Sequence, residues 1–133
     1  MRTLWPRHSA ERVNFVYLTG NPAGASEVCR AVGPAFIMRG ATTSIEKAVR
    51  LAAMTGARVL LTEAILPDGT WRDVITACHR TALAPAVVVI LDSFEGSQWV
   101  EMIRNSAYDV VLRPLRSEML QGALYRASRS VQH

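Results

Sequence analysis

The residue best placed to do chemistry is Glu63. It closes the apolar run Val59-Leu60-Leu61-Thr62 and is followed by Ala64-Ile65-Leu66-Pro67-Asp68-Gly69, after which Trp71 opens a helical pattern. A run this short and this apolar reads as a parallel strand buried on both faces, and the working residues of an open α/β sheet sit at the carboxyl ends of such strands. Glu63 is thus a lone charge at the exit of the central strand. Other candidate groups form no set. Thr19-Gly20-Asn21-Pro22-Ala23-Gly24-Ala25-Ser26 follows a strand and opens a helix, where a phosphate loop would be. It lacks the lysine and the glycine spacing of a P-loop or a dinucleotide fingerprint, so it reads as a glycine-containing turn. Ser26, His8, His79 and His133 offer no ordered nucleophile, base and orienter. His79 follows an inward cysteine and faces solvent, while His8 and His133 fall in the tails.

The elements that position Glu63 alternate strand and helix five times. Val13 to Leu18 is the first strand. Ala25, Val28, Cys29 and Val32 then recur at helical spacing until Gly33-Pro34 stops them. Ala35 to Met38 is a short second strand. Thr43 and Glu46 form a capping box ahead of Ile45, Ala48, Val49 and Ala52 on one helix face, with Gly56 as the stop. After the strand that ends on Glu63, a helix turns Trp71, Val74, Ile75 and Cys78 inward and ends near Ala84-Pro85. Ala86 to Leu91 is the fourth strand. Val100, Ile103 and Ala107 share the inward face of the next helix, Asp109 to Leu112 is the last strand, and Leu120, Ala123, Leu124 and Ala127 line a closing helix. This alternation predicts right-handed βαβ units on a parallel sheet, in one domain over residues 13–130 behind an N-terminal tail of residues 1–12.

Two segments resemble the receiver domains of two-component response regulators. Glu63-Ala64-Ile65-Leu66-Pro67-Asp68-Gly69 is similar to the segment in which a phosphate-accepting aspartate is followed by Leu-Pro. Ser106-Ala107-Tyr108-Asp109-Val110-Val111-Leu112-Arg113-Pro114-Leu115 resembles the segment carrying the family's lysine and its proline. The resemblance covers roughly Arg12 to Arg129. It implies a flavodoxin-like doubly wound sandwich, with a five-stranded parallel sheet in the order 2-1-3-4-5. It also implies a site that is largely missing here. The phosphoacceptor position holds Glu63, and the magnesium-binding acidic pair falls at Thr19 and Gly20. The switch hydroxyl falls at Leu91, with Asp92 one place on, and the switch aromatic falls at Val110. The lysine position is Arg113, followed by Pro114 as the candidate cis proline. Magnesium demands several oxygens in tight octahedral geometry, so its binding is expected to be lost or weak and no other cofactor is implied. In this strand order the first and third helices lie on opposite faces of the sheet, too far apart for Cys29 and Cys78 to bridge.

Glu63 and Arg113 are expected at the ends of neighbouring strands, either as a direct carboxylate–guanidinium pair or as two solvated charges. The resemblance also points to the surface of the fourth helix, fifth strand and fifth helix for a protein partner or a homodimer. Trp99, Tyr125, Arg126 and Arg129 are its candidate contacts, although Trp99 folded back as core rim fits the pattern as well. Gly122 in the last helix is a possible mark of close packing.

Composition narrows the function. The chain has 133 residues, 50% hydrophobic and 20% charged, enough for one good core, and no apolar run is long enough to span a membrane. No secretory h-region opens it, so a cytoplasmic setting is expected. The net charge is +4, but the basic residues are scattered, without aromatic interleaving or zinc spacing, so direct nucleic-acid binding is not expected. The sequence ends soon after the fifth helix, which suggests a stand-alone domain. The expectation is a non-enzymatic, phosphorylation-independent receiver-type module. The alternative is a small α/β domain that binds an anionic ligand or nucleotide at the carboxyl edge of the sheet, with Thr19, Gly20 and the N-terminus of the first helix as donors and Arg113 as a charge.

Overall fold

The computed structural model describes residues 12–93 and 96–130. Apart from Arg12, the expected tail lies outside these residues, as do His8 and His133. In chain order the elements are β1 (Val13–Leu18), a 3-10 turn (Pro22–Gly24), α1 (Ala25–Val32), β2 (Phe36–Thr42), α2 (Ile45–Thr55), β3 (Val59–Glu63), β4 (Ile65–Leu66), β5 (Gly69–Thr70), α3 (Trp71–His79), β6 (Ala86–Leu91), α4 (Gly96–Arg104), β7 (Asp109–Leu112) and α5 (Ser117–Ser130). β4 and β5 form a two-stranded antiparallel ribbon around Pro67 and Asp68. The other strands make one parallel sheet in the order β2-β1-β3-β6-β7. With the ribbon set aside this is the expected order 2-1-3-4-5. Among the described residues no helix is long and apolar enough to cross a membrane.

The sheet is covered on both faces, which is why its strands read as unbroken apolar runs. Alternate residues serve opposite layers. Val16, Leu18, Leu60, Val87 and Val89 pack with Ala48 and Ala52 of α2, Val74 and Cys78 of α3, and Met102 of α4. Phe15, Leu61, Val88 and Ile90 pack with Val28 and Val32 of α1 and with Leu120, Ala123, Leu124 and Ala127 of α5. Cys78 is therefore buried in one layer while Cys29 stands on a helix of the other, and both thiols are free.

Several boundaries and orientations differ from the sequence reading, each for a local reason. β2 runs on to Thr42 because a bulge absorbs Arg39 and Gly40, which had looked like the end of the strand. Its register against β1 shifts between Phe15 and Tyr17. A Cβ on Gly40 would lie 2.9 Å from Leu51 Cδ1, so glycine lets α2 press against the bulge. The N-cap of α2 is Ser44 rather than Thr43, its hydroxyl accepting from Lys47 N at 3.1 Å. Lys47 cannot return that bond, and Asp68 of the ribbon turn accepts from Ile45 N at 3.2 Å. A capping box does exist, one helix later, where Thr70 and Asp73 close the first turn of α3. α3 then stops at His79, the Thr81 hydroxyl taking the Cys78 carbonyl at 2.8 Å. Cys29 is exposed rather than inward, since Val28 and Val32 already fill the inner face of so short a helix.

The largest correction concerns α4. Its one buried residue is Met102, while Val100 and Ile103 are exposed, and Ala107 is buried in the loop beyond the helix. The helix is rotated relative to the expected phase because unbranched Met102 reaches deeper into the layer than either β-branched neighbour. Met102→Ala is therefore expected to cost roughly 2–5 kcal/mol in urea unfolding. Ile103→Ala should cost less than about 1 kcal/mol, the reverse of what an inward Ile103 requires.

Candidate functional site

Four strand ends and their loops meet at the carboxyl edge of the sheet. β1 delivers Tyr17 and, just past its end, Thr19 and Gly20. β3 ends on Glu63, the loop after β6 begins at Asp92, and Arg113 follows β7. β6 lies between β3 and β7, so Glu63 and Arg113 do not end neighbouring strands. Their length spans that gap. Arg113 Nη2 lies 3.0 Å from Glu63 Oε2, and Nη1 lies 3.0 Å from Asp92 Oδ1. The guanidinium fork is thus split between two carboxylates instead of gripping one bidentately.

Glu63 is enclosed by further donors. The Thr19 hydroxyl donates to Oε2 at 2.8 Å and the Tyr17 phenol to the same oxygen at 2.9 Å. The Gly20 amide donates to Oε1 at 2.8 Å. Thr19 is itself fixed, its oxygen accepting from Asn21 N at 3.0 Å, and the Tyr17 oxygen accepts weakly from Arg113 Nη2 at 3.4 Å. The side chain of Glu63 is only 20% exposed. Burial alone would push its carboxyl up, but the Gly20 amide, the Thr19 and Tyr17 hydroxyls and the Arg113 guanidinium together hold it below its ordinary value of 4.5. Burial likewise pushes the Tyr17 phenol up to about 12, with the adjacent carboxylate adding to the effect. Burial opposes the charge on Arg113, and the bonds to Glu63 and Asp92 more than restore it. The outcome is an ionised carboxylate in a cage of neutral and cationic donors.

Thr19, Gly20, Glu63 and Arg113 converge, and Asp92 joins them through Arg113. Leu91 does not: it is buried at the end of β6, where only its carbonyl takes part, accepting from Arg113 N at 2.9 Å. Val110 packs against the core. The Arg113–Pro114 peptide bond is cis. His79 is exposed, and Asn21 caps the 3-10 turn by accepting from Ala23 N. The residue missed from the sequence is Tyr17. The available signal was a tyrosine in an otherwise apolar buried strand, where the hydroxyl must find a partner.

The magnesium ion implied by the resemblance does not fit these residues. Such an ion needs several free oxygens, whereas both oxygens of Glu63 already accept donors and a guanidinium stands 3.0 Å away. Gly20 has no side chain, and Asp92 is turned to Arg113. Among the described residues no three of His, Cys, Asp and Glu come together as metal ligands.

On the side of the molecule formed by α4, β7 and α5, the contact residues differ in part from those expected. Trp99 is 39% exposed and Arg129 is exposed. Tyr125 is half-buried against the α1–α5 layer, and Arg126 reaches back to Asp109 at 3.5 Å. A Cβ on Gly122 would sit 3.0 Å from Arg126 Nη1, so this glycine is covered by its own helix's arginine. Trp99, Val100, Ile103, Tyr108, Leu112 and Met119 instead are six of the nine exposed large apolar side chains among the described residues.

No family model matches the sequence, and no curated protein matches it. Solved structures do match its fold. The signal receiver domain of NarL from Mycobacterium tuberculosis superposes with a TM-score of 0.79 at 18% identity, over 90% of this chain and 98% of that one. The response regulator domain of Thermotoga maritima CheB gives 0.76 at 15% identity, over 90% and 98%. The signal receiver domain of a modulated diguanylate cyclase from Desulfovibrio desulfuricans G20 gives 0.73 at 13% identity, over 90% and 96%. The chain therefore has the fold of receiver domains.

Two measurements probe the cage. In a double-mutant cycle, Glu63→Gln and Arg113→Gln should be non-additive by about 1–3 kcal/mol, and strict additivity would mean that the pair is not coupled. The second is pH dependence. The folded-state carboxyl of Glu63 titrates below its unfolded value, so its contribution is present above the ordinary carboxylate range and lost as pH falls through the lowered value. The stability gap between wild type and Glu63→Gln should be widest near neutrality and close in acid, as followed by urea unfolding at stepped pH.

Proposed function

We propose that this chain is a receiver-type signalling domain that works without phosphorylation and without magnesium, through contact with another protein. The observation that carries this reading is the state of the carboxylate at the end of β3. Both of its oxygens accept hydrogen bonds from within the chain, and Arg113 caps one of them. An acceptor must meet its phosphoryl donor in line at about 3–3.5 Å. Here the approach is occupied by the Arg113 guanidinium, and the carboxylate would have to shed charge-assisted bonds before it could act. The glutamate side chain reaches both the residues after β1 and the arginine after β7 and bonds to each.

The same geometry weighs against the alternative of an anionic ligand or nucleotide at this edge. The donors available to such a ligand, at Thr19, Gly20 and Arg113, already serve an internal anion. The role proposed is that of a non-enzymatic module in two-component-type signalling, in which the cage holds the loops after β1, β6 and β7 in one arrangement. Its partner, another protein or a second copy, is proposed to meet the face of α4, β7 and α5, where most of the exposed apolar side chains lie. Exposed tryptophan, methionine and leucine beside arginine have the composition of contact surfaces.

Treatment with acetyl phosphate and magnesium, followed by intact-mass analysis, should leave the mass unchanged, and beryllofluoride with magnesium should not raise the melting temperature. A stoichiometric phosphate adduct that disappears in Glu63→Ala would overturn the reading.

A further inference from the structure

A groove of about 450 Å³ opens at the outer edge of β7, between α4 and α5. Among the described residues β7 pairs with β6 alone, and its other side faces the groove. Trp99 of α4 forms one wall and Met119 of α5 the other, over a floor of Val110, Leu112 and Pro114. The volume falls within the range of roughly 300–1,000 Å³ usual for small-ligand pockets, which are mainly apolar with a few polar groups that orient the occupant. The two charged residues on this lining are Arg113 and Arg116. They are not equivalent. The Arg113 guanidinium is bound on both sides, by Glu63 and Asp92. Arg116 is exposed and makes no ion pair among the described residues.

We infer that this groove is a binding site for a small amphipathic monoanion, its apolar body held between Trp99 and Met119 and its anionic head on Arg116. One uncommitted guanidinium sets the charge of the ligand, because the carboxylates of the cage withhold the other. The apolar walls set its class: a neutral polar molecule would leave Trp99 and Met119 uncovered, and a dianion would find one partner only. Met119 is unbranched and 66% exposed, so it can close over chains of different shape. The site lies within the face proposed for protein contact, and its occupant would compete with that contact. Its existence does not depend on whether Glu63 can be phosphorylated.

The test titrates the full chain with decanoate and, separately, with decanol, following amide and indole NMR shifts and binding heat. Decanoate is expected to bind saturably below millimolar concentration, with shifts confined to Trp99, residues 110–116 and Met119. Arg116→Gln should weaken decanoate about fivefold and leave decanol nearly unchanged, because a single exposed charge pair is at stake. Met119→Glu should weaken both. Absence of saturation, shifts centred elsewhere, or an equal effect of Arg116→Gln on the two probes would each overturn the assignment. Light scattering on the same samples separates it from the reading above. A dimer that excludes decanoate at every protein concentration would overturn the ligand site and leave the protein contact standing.

Discussion

The structure around the carboxyl edge depends on one requirement: an ionised carboxylate has been drawn mostly out of water and must be fully bonded. An unpaired charge in that setting costs several kcal/mol, and that cost fixes the positions of everything near it. Thr19 and Gly20 must present a hydroxyl and an amide at hydrogen-bonding distance, which sets how the chain leaves β1. Tyr17 must run the length of its ring beneath the edge to deliver a phenol. Arg113 must reach past the end of β6. The requirement also explains why a glycine at position 20 suits Glu63. A Cβ there would lie 3.8 Å from Oε1, so an acidic side chain at this position would begin beside the carboxylate that the cage neutralises.

The exits of the strands and most of both core layers could be read from the sequence, because buried parallel strands and inward helix stripes leave periodic marks, whereas the sheet order came only with the family resemblance. Ala86 to Leu91 and Asp109 to Leu112 end where the apolar runs end. Signals of one or two residues were less dependable. Thr43 and Glu46 have the form of a capping box, yet the neighbouring Ser44 won, since Asp68 from a different turn could complete its cap. In α4 the helical spacing of Val100, Ile103 and Ala107 pointed to the wrong face, and packing depth selected Met102 instead. At the site, the meeting of Glu63 with Arg113 was expected from neighbouring strands, but β6 separates them and side-chain length alone makes the contact. The roles of Asp92 and Tyr17 were not legible, because they arise from distances across the sheet that no spacing along the chain encodes.

The polar edge and the apolar side share the segment from Leu112 to Pro114. Arg113 points its guanidinium into the cage while the same residue lines the groove. α4, which carries Trp99, buries Met102 alone and is tied to α3 by the ion pair of Glu101 with Arg72, whose guanidinium also stacks over Trp71. One groove wall is therefore held at few points and the other belongs to α5, a longer helix with an extensive buried face. Elements anchored at few points are the ones that open locally at low cost.

The cage also has a place in the order of assembly. The strands β1, β2 and β3 come from the first half of the chain and pair with one another. The bond between Glu63 and Arg113 closes a separation of 50 residues, and that between Tyr17 and Arg113 one of 96. Both bonds need Arg113, which directly follows β7, so their geometry requires β7 to be in place at the far side of β6. Interactions that appear late leave the folding rate almost untouched and act on the escape rate instead. The bond of Glu63 to Arg113 thus serves as a fastener on the last strand, laid over a carboxylate that Tyr17, Thr19 and Gly20 already hold.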